Sequence, residues 1–540
     1  MKTMNTGPRV WPCLALSLGL LGAVCSASPA QAKASSQPPA CDIATAQQLV
    51  SGATITAAAM QHTTDGVTAY CRVDGYVATQ GPGPNANRVN FMVSLPEGFK
   101  GRYYYIGLGG AAGYVPSPPD TLLSQGFAVA GSDAGTQTFV LDWTFAIDRT
   151  KAFDYAQRGV HVSSVATQEL TRGYYQLKSS QLKNKSKKLY RYIDGCSGGG
   201  RMGNVEAIVH PGDYDGTILG APGINTGNVL LFGKVAQFLI QHPEAWISPA
   251  QFVQLEQAIV ASLDRADGAE DGVVSRVINA GIDPAALGIF TEPQLQTLQM
   301  IREGIDLGGV KYPGFPLANP IGWSSFLIGN TPPPWSMNPA DLDFPPAGFM
   351  VFDSQSRGLF GLTYNFVEAM DFNSAADVSH WAQTYEDVFI ESGTADPADL
   401  LGYLKGGGKI VMWHGIADNA ISVNDSIRYY NQLAQARGGL ARTQQSARLF
   451  LAPGVLHCAG GIGPQDTPTQ ALDAIVRWVE KGVAPQSLVA NRAPSATLPA
   501  RSFRLCPYPQ RALFKGGLEN PKGLDVNDAA NWRCALPHHH

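Results

Sequence analysis

A serine between glycines lies where a predicted strand meets a predicted helix. Residues 189–193 (LYRYI) have the composition of a strand, and residues 201–209 have helical spacing. Between them run Gly195, Cys196, Ser197, Gly198 and Gly199. In this context a Gly-x-Ser-x-Gly turn lifts the serine hydroxyl above the end of a sheet, where it can act as a nucleophile. We therefore interpret Ser197 as the candidate nucleophile; the alternative is an ordinary strand–helix loop.

A nucleophilic serine needs a base, and the base needs a carboxylate that orients it. Residues 409–413 (KIVMW) form a predicted strand that leads into Asp418, and residues 448–451 (RLFL) form one that leads into His457. An acid and then a histidine therefore follow later strands, which is the chain order expected of enzymes with this serine turn. The sequence thus predicts a triad of Ser197, Asp418 and His457.

Other side chains compete for these roles. His414 is close to Asp418 in the sequence and is interpreted as its hydrogen-bonding partner. Asp213 and Asp215 follow the helix after the serine, and we interpret them as turn residues because Asp418 fits the chain order better. For His457 the alternative is a histidine in a surface loop.

The first residues have the features of an export signal. Lys2 and Arg9 accompany an apolar run at residues 11–24, which is too short to span a bilayer. An A-Q-A site ends at Ala32, so residues 1–32 are predicted to be removed and the protein to be secreted or periplasmic. No later stretch reaches about 18 apolar residues, so no membrane span is expected.

The cysteines agree with export. The chain has eight cysteines. Two of them, Cys13 and Cys25, lie in the predicted signal, and an even number of six in the exported part favours disulfides. No two have C-x-x-C spacing, which argues against a zinc site or a redox pair. Six cysteines allow fifteen pairings. The local pairings expected among them are Cys41 with Cys71 and Cys506 with Cys534.

The other two cysteines adjoin the candidate triad. Cys196 directly precedes Ser197, and Cys458 directly follows His457. If the triad forms, these cysteines must lie near each other, and we expect a disulfide between them. Two unpaired thiols are the alternative, which an exported protein disfavours.

The elements around these residues alternate between strands and helices. Strands are predicted at 88–95, 102–108, 126–131, 189–193, 216–220, 409–413 and 448–451, and helices at 154–177, 201–209 and 470–481. Such alternation is typical of an α/β fold whose parallel sheet is covered by helices on both faces. From about 225 to 397 the strands stop and Pro-rich turns separate helical pieces, which predicts a lid domain inserted between sheet strands.

The predicted organisation has five parts. They are a signal peptide (1–32), a first core segment with the serine (33–224), the lid (225–397), a second core segment with the acid and base (398–537) and a tag remnant (538–540). Basic residues number 39 and acidic residues 43, which gives a net charge of −4. This balance excludes nucleic-acid binding driven by bulk charge.

The predicted triad and its two neighbouring cysteines resemble those of the tannase and feruloyl esterase family. These residues are Cys196, Ser197, Asp418, His457 and Cys458. The closing segments 505–509 (LCPYP) and 525–530 (DVNDAA) are also similar to the C-termini of that family, so the resemblance covers nearly the whole mature chain. It implies an α/β-hydrolase fold and hydrolysis of aromatic carboxylic esters through an acyl-enzyme. It implies no organic cofactor.

The resemblance also implies an oxyanion hole and a structural calcium ion. The backbone N–H of Gly198 and that of Gly109 or Gly110 would hold the oxyanion. Calcium favours oxygen ligands. By resemblance, these come from a loop of the lid, namely from the carboxylates of Asp264, Asp267 and Asp271 and the carbonyls of Ala269 and Val273. The alternative is an acidic, glycine-containing turn without an ion.

The family acts on ferulate, gallate and terephthalate esters, and the lid is expected to shape the acyl pocket. The pocket candidates are Trp323, Phe326, Trp335 and Arg357. A terephthalate monoester has a free carboxylate that needs a charged partner in the pocket. Arg357 is the only lid arginine near these aromatics, so we favour feruloyl or galloyl esters over mono(2-hydroxyethyl) terephthalate. One alternative is a lipase or peptidase. The alternative from another class is a catalytically inactive binding module with a hydrolase fold, and the complete triad argues against it.

Overall fold

A computed structural model describes residues 39–177, 188–277, 282–318, 320–338, 340–341, 343–389 and 396–536. The strands are β1 (Thr54–His62), β2 (Ala69–Thr79), β3 (Asn87–Pro96), β4 (Arg102–Gly107), β5 (Phe127–Ser132), β6 (Tyr190–Cys196), β7 (Gly216–Gly220), β8 (Ile305–Leu307), β9 (Val310–Tyr312), β10 (Lys409–Gly415), β11 (Ala447–Ala452), β12 (Leu488–Arg492), β13 (Arg501–Leu505), β14 (Arg511–Phe514) and β15 (Trp532–Ala535).

The α-helices alternate with these strands. They are α1 (Ile43–Gln48), α2 (Asp120–Ser124), α3 (Arg149–Phe153), α4 (Gly159–Tyr174), α5 (Gly198–Val209), α6 (Gly227–Gln241), α7 (Pro249–Leu263), α8 (Glu292–Glu303), α9 (Ala347–Phe360), α10 (Phe366–Ala369), α11 (Ala375–Phe389), α12 (Leu401–Lys405), α13 (Val423–Ala436), α14 (Leu440–Thr443) and α15 (Thr467–Lys481).

One large sheet organises the fold. Its strand order is β1-β2-β3-β5-β4-β6-β7-β10-β11. From β5 to β11 neighbouring strands are parallel, as the alternation of strands and helices predicts. The strands β1, β2 and β3 pair antiparallel, and β3 joins β5 antiparallel as well. The sheet is therefore mixed. Its antiparallel part lies at the edge formed by β1 and β2, two strands that were not predicted from the sequence.

Both faces of the sheet are covered. In β10, Ile410 and Met412 pack in a cluster with side chains of α13, whereas Val411 and Trp413 pack in another with side chains of α15. Successive strand residues point to opposite faces. A strand buried on both faces is apolar throughout, which explains the run KIVMW. This architecture, with helices on both faces of a mostly parallel sheet, confirms the predicted α/β-hydrolase fold.

Between β7 and β10 the chain leaves the sheet. We call residues 225–397 the inserted segment; it contains α6 to α11 and a short antiparallel hairpin of β8 and β9, so the expectation of a segment without strands is wrong in this detail. Its helices begin at clear signals. Ser248 and Gln251 form a reciprocal capping box at the start of α7.

Some predictions concern residues that the structure leaves undescribed. The signal peptide at 1–32 with Cys13 and Cys25, and the tag remnant at 538–540, lie outside the described residues. Among the described residues, no helix is both long and apolar enough to cross a membrane.

Candidate active site

Ser197 occupies a strained turn between β6 and α5. Its backbone has φ 62° and ψ −123°, a conformation that is uncommon for any residue but glycine. Its N–H donates to the carbonyl of Gly220 at 2.9 Å, and its carbonyl accepts from the N–H of Arg201 at 3.0 Å. Because β7 and α5 hold both sides of the peptide, the surrounding structure maintains the strained backbone.

The glycines beside the serine are required by close packing. A Cβ atom at Gly195 would lie 2.6 Å from the carbonyl oxygen of Gly107 in β4, and one at Gly199 would lie closer still. Such separations are too short for a carbon atom, so the turn can form against β4 only with glycine at both positions. This is the physical reason for the Gly-x-Ser-x-Gly spacing in this chain.

The predicted acid and base are hydrogen-bonded to each other. The Nδ1 atom of His457 lies 2.9 Å from Oδ2 and 3.1 Å from Oδ1 of Asp418. Asp418 is 3% exposed, and its Oδ1 also accepts from the N–H groups of Ala420 and Ile421, each at 2.8 Å. With Nδ1 donating to the carboxylate, the other ring nitrogen of His457 is left to exchange a proton with a nucleophile.

His414 supports the same carboxylate. Its Nε2 atom lies 3.2 Å from Oδ2 of Asp418, while its Nδ1 pairs with the hydroxyl of Ser426 at 2.8 Å. Burial by itself would raise the pKa of Asp418, but the charge of His457 and the hydrogen bonds of both histidines outweigh it and lower the pKa below its usual value. Asp418 therefore stays ionised although it is buried.

A disulfide joins the chain next to the serine with the chain next to the histidine. Cys196 and Cys458 are bonded, with their Cα atoms 5.9 Å apart across a sequence separation of 262 residues. The other disulfides pair Cys41 with Cys71 and Cys506 with Cys534, as expected from the sequence.

A cavity of about 480 Å³ opens at Ser197 and His457. Its walls are mainly apolar. They include side chains of the loop after β5 and of the inserted segment, namely Val140, Leu141, Trp143, Val229, Phe232, Phe326 and Val351. Polar groups face it at Asn225, Asn228 and Gln355. A small organic molecule with an apolar body and few polar groups fits such a site.

Backbone N–H groups also border the cavity. Gly198 is the first residue of α5, so its N–H has no partner within the helix. Gly109 and Gly110 follow β4 and line the same cavity. The hydroxyl of Tyr155 donates to the carbonyl of Gly110 at 2.7 Å, which fixes the orientation of this loop. The residues predicted for an oxyanion hole thus lie together.

The predicted pocket residues separate into two groups. Phe326 lines the cavity, and its ring centre is 6.2 Å from that of His457. Trp323 is 1% exposed and packs inside the inserted segment, and the indole N–H of Trp335 donates to the carbonyl of Thr331 at 3.0 Å. The guanidinium of Arg357 donates to the carbonyl of Leu362 at 2.9 Å. These three side chains lie outside the cavity lining that the structure describes.

Two contributors to the site were missed by the sequence analysis. Asn419 accepts the backbone N–H of His457 at 3.1 Å and donates to the carbonyl of Gly322 at 2.9 Å, which connects the base to the inserted segment. Its position directly after Asp418 was the available signal. Gln355 in α9 gave no signal, because a glutamine in a predicted helix is ordinarily a surface residue.

The predicted calcium ligands form a buried acidic loop after α7. Asp264 and Asp267 are 9% and 2% exposed, and the side chain of Asp271 is 2% exposed. The Oδ1 atom of Asp264 has no hydrogen-bond partner. Burial, with the negative charges of Asp271 and Asp264, raises the pKa of Asp267 to about 7. Arg501 contacts Asp271 at 2.7 Å and offsets part of this negative charge.

The two residues whose carbonyls are predicted ligands are also buried. Ala269 and Val273 are 2% and 3% exposed, and Ala269 packs against Phe514 and Trp532 of β14 and β15. Buried carboxylates, one oxygen without a partner and buried main-chain carbonyls form the oxygen-rich environment that a hard cation such as Ca²⁺ prefers. The residues present therefore fit a calcium ion.

The acids near the end of α5 have other partners. Asp215 pairs with Arg191 and Lys188, each at 3.2 Å, and Asp213 contacts His161 at 2.7 Å. Both belong to the turns between α5 and β7, and neither lines the cavity that the structure describes.

Comparison with known proteins gives consistent matches over most of the chain. The sequence model of the tannase and feruloyl esterase family matches residues 71–535. A probable feruloyl esterase of Arthroderma benhamiae is 29% identical over 460 residues, which are 83% of this chain and 82% of that protein. The mono(2-hydroxyethyl) terephthalate hydrolase of Piscinibacter sakaiensis is 27% identical over 535 residues, 87% of this chain and 85% of that protein.

A solved structure shares the fold. Feruloyl esterase B from Aspergillus oryzae matches with a TM-score of 0.72 and 23% sequence identity, covering 90% of this chain and 97% of the other.

The Cys196–Cys458 disulfide yields the first prediction. In the chain-entropy description, closing a loop of 262 residues stabilises the folded state by up to about 5–6 kcal/mol. Replacing both cysteines by alanine should lower Tm and also lower kcat, because the bond holds the backbones next to Ser197 and His457. The measurements are thermal unfolding and turnover of a chromogenic ester, with non-reducing peptide mapping of the unaltered protein.

The Cys41–Cys71 pair offers a matched control. It closes a loop of 30 residues and does not line the cavity, so its removal should lower Tm and leave kcat within about twofold. Alkylation of both Cys196 and Cys458 in the native, unreduced protein would contradict the assignment.

Proposed function

The chain belongs to the tannase and feruloyl esterase family and is a carboxylic ester hydrolase, and we propose that it hydrolyses aromatic esters through Ser197, His457 and Asp418. One observation carries this proposal. Ser197 and His457 line one cavity, and Nδ1 of His457 is hydrogen-bonded to the buried carboxylate of Asp418. That arrangement provides a nucleophile, a base and the group that orients the base.

In the proposed mechanism the hydroxyl of Ser197 attacks the ester carbonyl. His457 accepts the hydroxyl proton through Nε2, and the new carbon–oxygen bond places a negative charge on the former carbonyl oxygen. The N–H groups of Gly198 and of Gly109 or Gly110 donate to this oxyanion. The N-terminal end of α5, which carries a partial positive charge, adds to the same stabilisation.

The tetrahedral intermediate then collapses. The alcohol leaves with the proton held by His457, and the acid remains bonded to Ser197 as an acyl-enzyme. A water molecule gives a proton to His457 and attacks the acyl carbon. The bond between that carbon and the oxygen of Ser197 then breaks, His457 returns the proton to this oxygen, and the carboxylic acid is released. Asp418 remains ionised during both halves and stabilises the positive charge that forms on His457, since its pKa is held low by its two histidine partners.

The acyl group is proposed to carry a phenol hydroxyl, as in feruloyl or galloyl esters. Gln355 lines the cavity and is 2% exposed, and its Oε1 atom has no hydrogen-bond partner. A buried acceptor without a donor is costly, and a substrate hydroxyl that donates to it would remove that cost. The apolar walls suit the aromatic ring, and Gln355 suits the hydroxyl on it.

A terephthalate monoester is the second candidate substrate, favoured by the similarity to the Piscinibacter enzyme. Its free carboxylate needs a charged partner when it loses water. Arg201 lines the cavity, but its two terminal nitrogens already donate to the carbonyls of Ala156 and Tyr155 at 3.0 and 2.8 Å. Only its Nε–H is without a partner, so it cannot hold a carboxylate through two hydrogen bonds. Arg357 is engaged elsewhere, so a neutral phenolic ester is the better match.

We also propose that the acidic loop holds a structural calcium ion, with ligands from the carboxylates of Asp264, Asp267 and Asp271 and from the carbonyls of Ala269 and Val273. The ion would neutralise the buried carboxylates and fix the loop from which Ala269 packs against Phe514 and Trp532 of the C-terminal hairpin. It would supply no step of the reaction. This segment is proposed to serve as the lid that encloses the acyl group.

The protein is proposed to act outside the cytoplasm, after cleavage near Ala32. Support comes from the signal-like leader in the sequence and from the three disulfides, which persist in oxidising compartments. Its partner is then a small ester substrate.

The nucleophile is tested by Ser197→Ala. Turnover of methyl ferulate should fall by about 10⁴- to 10⁶-fold, because only binding and oxyanion stabilisation remain. Tm should change little. Ser495→Ala, at an exposed loop serine, is the control and should keep full activity. A Ser197→Ala protein that retains a tenth of the parent rate would exclude the proposed triad.

Substrate choice is tested by kcat/KM at pH 7 for methyl ferulate, methyl cinnamate and mono(2-hydroxyethyl) terephthalate. The unaltered protein should prefer methyl ferulate. In Gln355→Leu, kcat/KM for methyl ferulate should fall about tenfold, which is the effect of one neutral hydrogen bond, while methyl cinnamate, which lacks the hydroxyl, should be unaffected.

Arg357→Ala is the control and should leave all three substrates unchanged. Equal losses on ferulate and cinnamate in Gln355→Leu would remove Gln355 from hydroxyl recognition. A preference for the terephthalate monoester that Arg357→Ala abolishes would show that the order of substrates is reversed.

Calcium is tested by chelation. An ion that binds only the folded state at 100 times its Kd stabilises it by about 2.7 kcal/mol, so EGTA should lower Tm by several degrees and added Ca²⁺ should restore it. The Asp267→Asn protein should show this lowered Tm even when no EGTA is added. Asp283→Asn, an acid of the same segment outside the loop, is the control. Metal analysis that finds no calcium in protein purified without chelator speaks against the site.

A further inference from the structure

A second cluster of metal-ligating side chains lies outside the active site. His161 is in α4, Glu206 is in the last turn of α5, and Asp213 is in the turn that follows α5. One nitrogen of His161 and one carboxylate oxygen of each acid all lie within 4.8 Å of one another. None of the three lines the catalytic cavity that the structure describes. We propose that these three side chains bind a zinc ion.

Glu206 is the observation that points to a ligand. It is 1% exposed, and neither of its carboxylate oxygens has a hydrogen-bond partner. A buried carboxyl group without partners is strongly disfavoured, and native proteins rarely leave one so. Burial, with the charge of Asp213 added to it, raises the pKa of Glu206 well above its usual value. A cation between these acids would bind one oxygen of Glu206 and offset the repulsion between the two carboxylates.

The kind of ligand atoms selects the metal. An imidazole nitrogen with two carboxylate oxygens is a set that zinc uses, whereas calcium and magnesium prefer oxygen alone. Two carboxylates and a neutral imidazole carry a charge of −2, which a Zn²⁺ ion neutralises. Ligands of one tetrahedral zinc ion lie about 3.3 Å apart. Nδ1 of His161 and Oδ2 of Asp213 are now 2.7 Å apart, so zinc binding would replace their contact and draw in the oxygen of Glu206, which lies within 4.8 Å of both residues' ligand atoms.

The surroundings fix one of the proposed ligands and leave two of them partly exposed. The ring of His210 stacks on that of His161 with centres 3.6 Å apart and planes 8° apart, which fixes the imidazole. The side chains of His161 and Asp213 are 30% and 19% exposed, so an ion can enter from solvent and keep a water as its fourth ligand.

The position in the fold also favours a cation. Glu206 lies at the C-terminal end of α5, where the helix carries a partial negative charge. The ion would connect α4 to the far end of the helix that begins after Ser197. It would thus stabilise the support of the nucleophile without contacting the substrate.

The test is calorimetric titration with ZnCl₂ in saturating Ca²⁺, which fills the acidic loop. Because the sequence ends in three histidines that can themselves bind zinc, His538, His539 and His540 are first replaced by alanine. This parent should bind one zinc ion per chain at micromolar or lower Kd, and zinc should raise its Tm.

Each ligand is then replaced. Glu206→Gln, Asp213→Asn and His161→Ala should each weaken zinc binding at least tenfold and abolish the rise in Tm. His242→Ala is the matched control, since His242 forms an exposed pair with Glu244 at 3.4 Å, and it should bind zinc as the parent does.

His161→Ala also covers the case in which Glu206→Gln fails to fold, because His161 is partly exposed. X-ray absorption at the zinc edge should show nitrogen and oxygen ligands at about 2.0–2.2 Å. A parent that binds no zinc at these concentrations, or zinc binding unchanged in His161→Ala and in any folded Glu206→Gln protein, would overturn the proposal. Activity of the parent in a zinc chelator should be unchanged, since the ion lies outside the cavity.

Discussion

The active site depends on holding two distant parts of one chain together. The serine turn ends the first part of the sheet, and the histidine loop follows its last strand, with the whole inserted segment between them. The Cys196–Cys458 bond fixes the two backbones directly, and the parallel pairing of β6, β7, β10 and β11 fixes them through the sheet. The inserted segment therefore does not have to hold Ser197 and His457 together by its own packing.

A second constraint is electrostatic. Asp418 is buried, and an unpaired buried carboxylate would take up a proton rather than remain charged. It stays ionised because His457, His414 and two backbone N–H groups surround it. Asn419, the next residue, holds both the backbone of His457 and the inserted segment. The same short loop thus keeps Asp418 ionised, orients His457 and contacts the inserted segment.

Much of this could be predicted from the sequence, because the patterns involved are local. Strands buried on both faces are short apolar runs, so the parallel strands from β4 onward and the α/β-hydrolase fold were predictable, and the resemblance to the family is confirmed by the match over residues 71–535. The edge strand β1 was missed since it is mostly exposed and its residues, TITAAAMQH, lack a period of two.

The walls of the cavity follow from tertiary packing, which residue type does not reveal. Trp323 and Phe326 lie three residues apart, yet Trp323 packs against Phe252 and Phe315 inside the segment while Phe326 faces the cavity. Gln355 became a candidate only because the structure leaves its buried oxygen without a partner. The same criterion, applied to Glu206, identified the proposed zinc site.

Both ends of α5 illustrate how one element can serve two purposes. Its N-terminal end follows Ser197, where free N–H groups and a partial positive charge favour an oxyanion. Its C-terminal end carries the opposite partial charge and places Glu206 beside His161 and Asp213, where a cation is favoured. A negative charge developing at one end and a proposed bound cation at the other both interact favourably with the same helix. In the proposed reaction the helix dipole would therefore be compensated at both ends, which is a physical reason for the proposed metal site to lie on the helix that follows Ser197.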